Sequence, residues 1–267
     1  MRSYLRKRRK GTVSRLLDSS KLSYKPYIDN RTKKDPAFVG SSGPLLIGTE
    51  IDGQKYIIKH TYPHNAANEF TACWLAEKLG VYTPKAFLLT PNKKFRSPYA
   101  VAIEYIEGFE LFAKDAVPNK ADLISQFALN ALIYTDDILQ LNRVGNRVIS
   151  YDFSESFCMT SPAMRSAIQM LDLNEEKGID QIAQILNDYR YHLSFQKFDV
   201  PGLAKEFYLD PEEMRLGMIA TAKRVLKITE EEITGLSDEL SELYPEAIAV
   251  FYEECIHAMQ QHMKKFL

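Results

Sequence analysis

Lys59, Glu69, Asp137, Asn142 and Asp152 stand in an order that suits phosphoryl transfer. That reaction asks a protein for positioning and charge more than for covalent chemistry. Lys59 closes the apolar run Tyr56-Ile57-Ile58 and offers a positive charge for phosphates. Glu69, in the segment that follows, can hold that ammonium in place. Asp137 and Asn142 are five residues apart, and Asp152 opens an Asp-Phe pair ten residues after Asn142. A carboxylate such as Asp137 can orient or deprotonate an acceptor hydroxyl. Asn142 and Asp152 supply the hard oxygens that Mg²⁺ prefers. Asp136 precedes the same asparagine, but only Asp137 gives the five-residue spacing. Upstream, Gly40-Ser41-Ser42-Gly43 is a flexible turn whose backbone N–H groups can cradle phosphate oxygens. Each feature also has a plain structural reading: a turn, a strand end, a helix glutamate, a polar loop.

The elements that must position these groups are legible in part. Pro44–Ile51 and Lys55–Lys59 flank Asp52-Gly53, a strong hairpin signal. A helix is expected from about Asn65, as its cap, to Leu79, with Gly80 ending it. Lys85–Leu89 and Tyr99–Tyr105 read as strands, and Gly108 marks a boundary. From Ala121 onward the pattern is mostly helical, with a strand at Arg147–Asp152 after a Gly145-Asn146 turn. Ser161-Pro162 and Asp210-Pro211 place a cap before proline at a first helical position. Thr229-x-x-Glu232 is a capping box, and a last helix runs from Pro245 towards Phe266. Its Ile248, Phe251, Tyr252, Cys255 and Met259 form one packing face. Strands first and helices later is an α+β pattern rather than regular βαβ alternation.

Composition narrows the class. The chain has 267 residues, 45% hydrophobic and 26% charged, which excludes wholesale disorder and a disulfide-dense mini-fold. Cys73, Cys158 and Cys255 are far apart, which fits buried thiols in a reducing compartment better than a disulfide or zinc framework. No run approaches the roughly 20 apolar residues of a membrane span, and the basic start has no apolar stretch behind it. These features lead us to expect a cytoplasmic protein. The net charge of −1 hides an asymmetry. Residues 1–34 carry twelve Lys/Arg against two Asp/Glu, and the remainder carries 22 against 33. Such a basic segment is a solvated tail, or a dock for nucleic acid or an acidic partner.

Together the motifs resemble the HipA-like kinases, a branch of the protein-kinase-like superfamily. The resemblance rests on Lys59, Asn68-Glu69, Leu75-Ala-Glu-Lys-Leu-Gly80-Val-Tyr-Thr-Pro84, Asp137…Asn142 and Asp152-Phe-Ser-Glu-Ser-Phe157, and it covers roughly residues 37–160. Ile138 stands near where the family has a histidine, and Ser154 stands where it has a glycine. The resemblance implies a bilobal protein-kinase-like fold, with a small β-rich N-lobe and a larger helical C-lobe. The expected division is a basic extension over 1–36, an N-lobe over 37–107 and a C-lobe over 108–267. It implies ATP and Mg²⁺ as cofactors and a protein Ser/Thr as acceptor. Phosphate-loop contacts would come from Gly40, Ser41, Ser42 and Gly43, and adenine contacts from the backbone near Glu104 and Ile106. Lys59 would meet the α/β-phosphates with Glu69 as partner; Asp137 would be the catalytic Asp, and Asn142 and Asp152 would hold Mg²⁺. Some relatives autophosphorylate on the phosphate loop, and some are toxins that phosphorylate a translation-related protein. A small-molecule or lipid phosphotransferase on the same scaffold, and a nucleotide-binding pseudokinase or scaffold, stand as alternatives.

Overall fold

The hairpin forms around Asp52-Gly53, with Gly53 at φ 94°, a left-handed value that glycine adopts without a Cβ clash. In this computed structural model the described residues are 15–28, 43–135, 140–157, 161–193 and 199–267. The N-terminal region is a six-stranded sheet. In chain order its strands are β1 (Leu16–Leu17), β2 (Ser23–Pro26), β3 (Leu46–Thr49), β4 (Lys55–Lys59), β5 (Ala86–Leu89) and β6 (Ala100–Glu104). Their spatial order is β1-β5-β6-β4-β3-β2, antiparallel throughout except that β1 runs parallel to β5.

Two of these strands lie before residue 37, inside the segment expected to be an extension. The sheet therefore begins earlier than the sequence indicated, with β2 pairing Ser23–Pro26 against Leu46–Thr49. The reason is local. Ser23-Tyr-Lys-Pro26 is mostly exposed, so it has no apolar alternation to announce a strand.

One helix, α1 (Pro63–Leu79), lies between β4 and β5 in sequence and packs on the sheet. Its N-cap is Tyr62, and Pro63 sits in the first turn, where a missing N–H costs nothing. Asn65, expected to be the cap, is instead inside the helix and buried. At the other end Gly80 adopts φ 67°, and Val81 N donates to Ala76 O at 2.8 Å, which closes the last turn. Nearly every residue of α1 is buried, as expected for a helix covered on more than one side.

Strand parity then decides which side chains face α1. On β6, Val101 and Ile103 enter the main core, while Ala100 and Ala102 enter a smaller cluster on the other face with Tyr56 and Ile58. On β4, Ile57 packs on the main core. Lys59, two residues on, shares its side of the pleat.

The C-terminal region is helical apart from the hairpin of β7 (Gln140–Val144) and β8 (Arg147–Tyr151). Its helices are α2 (Lys120–Ile133), α3 (Ser161–Asp172), α4 (Lys177–His192), α5 (Val200–Glu206), α6 (Pro211–Ala222), α7 (Glu230–Ser241) and α8 (Glu246–Lys264). Asp210 caps α6, and the Thr229/Glu232 capping box opens α7. The expected face of α8 is buried at Ile248, Phe251, Tyr252, Cys255 and Met259. The protein thus has a β-sheet N-terminal region and a helical C-terminal region, as its sequence pattern requires. Among the described residues no helix is long and apolar enough to cross a membrane.

Candidate active site

Three elements converge on one buried ammonium. Lys59 is the last residue of β4, Glu69 lies within α1, and Asp152 is the first residue beyond β8. Lys59 Nζ donates to Glu69 Oε2 at 2.8 Å, to Asp152 Oδ1 at 2.5 Å and to Ser154 Oγ at 2.7 Å. Glu69 is fully buried, Lys59 nearly so, and the Asp152 side chain keeps 23% of its exposure.

The backbone is shaped to make this possible. Asp152 has φ 70°, a left-handed value that costs a non-glycine residue roughly 1–2 kcal/mol. That turn ends β8 and lets the carboxylate face the ammonium, while Phe153 N donates to Glu69 Oε2 at 2.9 Å. Ser154 Oγ lies 3.1 Å from Asp152 Oδ1 and 3.3 Å from Glu69 Oε2. Behind the cluster, Asn68 Nδ2 donates to Ser154 O at 2.6 Å, and Tyr252 OH of α8 donates to Asn68 Oδ1 at 2.6 Å. The helical region thereby holds α1 and the Asp152 turn in register with each other. Tyr244 OH adds a bond to Pro63 O at 2.6 Å, and Lys78 pairs with Glu232 at 2.8 Å.

Charge follows from this geometry. Burial alone would lower the Lys59 pKa, but Asp152 and Glu69 beside it outweigh burial and hold it above its ordinary value. The ammonium in turn holds the Asp152 carboxyl below the usual carboxylate range. Burial pushes Glu69 up, and the neighbouring ammonium offsets this only in part. Among the described residues Glu69 Oε1 is buried with no hydrogen-bond partner, which matches that direction. Lys59 is thus a fixed cation and Asp152 a fixed anion.

The other expected site residues fall in different places. Glu104 ends β6, where Glu104 N donates to Lys85 O at 2.8 Å and Tyr105 N to Lys55 O at 2.9 Å. Ile106 follows as the chain leaves the sheet, and Gly108 at φ 80° turns it. The β4–β6 register sets Val101 opposite Lys59. Glu104 is three residues further along, about 10 Å at ~3.3 Å per residue. The segment then crosses to the hairpin through backbone bonds between Glu110 and Arg143, with the Phe109 ring 5.3 Å from that of Tyr151. Gly43 has φ 74° and abuts Thr61, so a side chain there would collide with the Thr61 hydroxyl and methyl. Gly40, Ser41, Ser42, Asp136 and Asp137 lie outside the described residues.

Asn142 is not in a loop. It is buried in the middle of β7, opposite Ile149. Ile149, its partner, is three residues before Asp152, about 10 Å along an extended strand. The structure therefore brings Lys59, Glu69 and Asp152 together and sets Asn142 apart from them in register. It adds Ser154, Asn68 and Tyr252, whose bonds no spacing rule reveals. Asn68 and Ser154 were visible only as motif letters, and Tyr252 only as part of an apolar stripe.

No known family's sequence pattern matches the chain, and no curated protein matches it. Among solved structures it is similar to the crystal structure of CtkA, a proinflammatory kinase of Helicobacter pylori. The identity is 12% and the TM-score 0.49, over 91% of this chain and 97% of that one.

Proposed function

We propose that this chain is an ATP-dependent phosphotransferase of the protein Ser/Thr kinase type, resembling the HipA-like kinases. The observation that carries this reading is the Lys59–Glu69–Asp152 cluster: a strand lysine held by a buried helix glutamate and facing an ionised aspartate at a strand end. Phosphoryl transfer needs this set, a fixed cation for phosphates beside a hard carboxylate for a metal. Among the described residues no group of three or more His, Cys, Asp and Glu side chains could hold a metal by itself. Mg²⁺ keeps several waters and takes one or two carboxylates together with substrate phosphates. Asp152 is the carboxylate that would hold it, and the bound cation would neutralise charge on the phosphates. Asn142 is the second oxygen ligand of the sequence pattern; its place in β7 leaves most of that task to Asp152.

In this reading Lys59 contacts the α/β-phosphates, and Glu69 keeps the ammonium from swinging away. The backbone at Glu104 and Ile106 takes the adenine edge, and the Gly40–Gly43 turn, with Ser41 and Ser42, covers the phosphates. Asp137 orients the acceptor hydroxyl and receives its proton. A bond forms from the acceptor oxygen to the γ-phosphorus as the bond to the bridging oxygen breaks, and ADP leaves. The acceptor is a protein hydroxyl, and the protein acts in the cytoplasm. The basic N-terminus suits an acidic partner or nucleic acid, since residues 1–34 carry a net charge of +10.

The test is single-turnover transfer from γ-labelled ATP with Mg²⁺, with and without added protein acceptors, followed by phosphoamino-acid analysis. Label on serine or threonine is the expected result, including on the protein itself near Ser41 and Ser42. Asp137→Ala should keep Mg-ATP binding and lose transfer, with Asp136→Ala losing less. Nucleotide binding without transfer under any condition would replace the kinase reading with a pseudokinase. Label on a lipid or small-molecule acceptor alone would replace the protein acceptor.

A further inference from the structure

An ammonium has three N–H donors and no acceptor. All three of Lys59 are engaged here, by Glu69 Oε2, Asp152 Oδ1 and Ser154 Oγ. In this state the lysine has no hydrogen left for a phosphate. We propose that Ser154 completes a latch on Lys59, which keeps the nucleotide-free site closed to phosphates until Asp152 exchanges the ammonium for a cation. The proposal rests on the nucleotide-site reading of Lys59 and Asp152 given above.

The three acceptors are not equally free to leave. Glu69 is fully buried, and its Oε2 is also held by Phe153 N at 2.9 Å. The main chain of Ser154 is held by Asn68, and Asn68 by Tyr252. Asp152 is the most exposed of the cluster and is a hard oxygen acid, the type of ligand a divalent cation takes. Ser154 can stay behind when Asp152 turns. Its hydroxyl has a single hydrogen, and two carboxylate oxygens lie in reach, Asp152 Oδ1 at 3.1 Å and Glu69 Oε2 at 3.3 Å. Passing that hydrogen to Glu69 leaves the serine oxygen still accepting from Lys59. The departure of Asp152 then frees one N–H for a phosphate oxygen. A glycine at position 154 would remove the third acceptor and leave one N–H available at all times. Cation and nucleotide binding are therefore coupled through Lys59, and the coupling is the same seen from either ligand.

The experiment is calorimetric titration of ATP into the full chain, once in excess chelator and once in excess Mg²⁺, for the wild type, Ser154→Ala, Ser154→Gly and Ser154→Thr. The wild type should bind weakly without Mg²⁺ and much more tightly with it. Ser154→Ala and Ser154→Gly should raise the metal-free affinity on the order of tenfold, the worth of one hydrogen bond to a charged group. They should change the Mg²⁺ affinity far less, so the ratio of the two shrinks. Ser154→Thr keeps the hydroxyl and should keep the wild-type ratio. A merely structural serine would shift both affinities by one factor or neither, and an unchanged ratio in both small variants overturns the latch while leaving the nucleotide site intact. A wild type that binds no ATP with or without Mg²⁺ overturns the nucleotide site itself, and the latch with it.

Discussion

Replacing Lys59 with Met should do more to the fold than the side chains' similar shape suggests. Methionine keeps the apolar stem, so the sequence alone predicts little change in folding. The structure points the other way, because the ammonium is shared by Glu69, fully buried, and Asp152. Removing one partner of a buried ion pair costs about 3–5 kcal/mol, since it leaves an uncompensated charge in a poor solvent for it. For a chain of this size that is a fall in Tm on the order of 10 °C. Glu69 has one escape, which is to bind a proton. Burial already pushes its carboxyl upward in the wild type, and losing Lys59 removes what offsets that push. The folded variant then holds a proton that its unfolded chain releases. By linkage its stability relative to the wild type rises as pH falls towards the ordinary glutamate range. Lys59→Met/Glu69→Gln removes the charge at every pH, so it should recover much of the loss and flatten the pH dependence. Circular dichroism melts of the wild type, both single variants and the double variant across that range measure all of this. A Lys59→Met protein melting within about 2 °C of the wild type throughout would refute the buried network, given what a few kcal/mol must do to Tm.

Tyr252→Phe leaves the buried Asn68 carbonyl without its 2.6 Å donor. It should cost about 1–3 kcal/mol in urea denaturation and lower the transfer rate by loosening Ser154; an unchanged midpoint and rate would detach α8 from the site. Gly80→Ala forces a Cβ onto a backbone at φ 67° and places it 3.0 Å from Arg224 Nη1, which itself bonds Leu79 O. A loss of about 1–2 kcal/mol with an unchanged urea m-value is expected, and no loss would contradict the helix-ending geometry.

What the sequence disclosed divides by the kind of signal each residue carries. Asp52-Gly53 and Gly80 were legible because left-handed backbone demands particular residues, and the structure gives both glycines positive φ. Proline and capping residues did the same for α6 and α7. Asn65 misled because a good cap residue also lies within reach of Pro63, and the proline set the helix start. β1 and β2 were missed because a strand of two residues and an exposed one of four carry no apolar period. β7 was missed because Gln140-Leu-Asn-Arg-Val144 reads as a polar loop, and only its pairing with β8 makes it a strand. That same pairing moves Asn142 away from Asp152. Within the site, Lys59, Glu69 and Asp152 could be named from order and spacing. Ser154 and Tyr252 could not, because a hydroxyl's partners are set by tertiary placement rather than by sequence period.

In the proposed function Lys59 sits where nucleotide phosphates bind. An ATP analogue carrying an acyl phosphate at its terminal position transfers its acyl group to a lysine amine held against the phosphates, and peptide mapping then identifies which lysine reacted. Lys59 is nearly inaccessible to a reagent that acts by chance encounter, with its side chain 5% exposed. Acylation of Lys59 in the presence of Mg²⁺, suppressed by excess ATP, is the expected result. Labelling confined to exposed lysines such as Lys21 and Lys55, and unaffected by ATP, would contradict it.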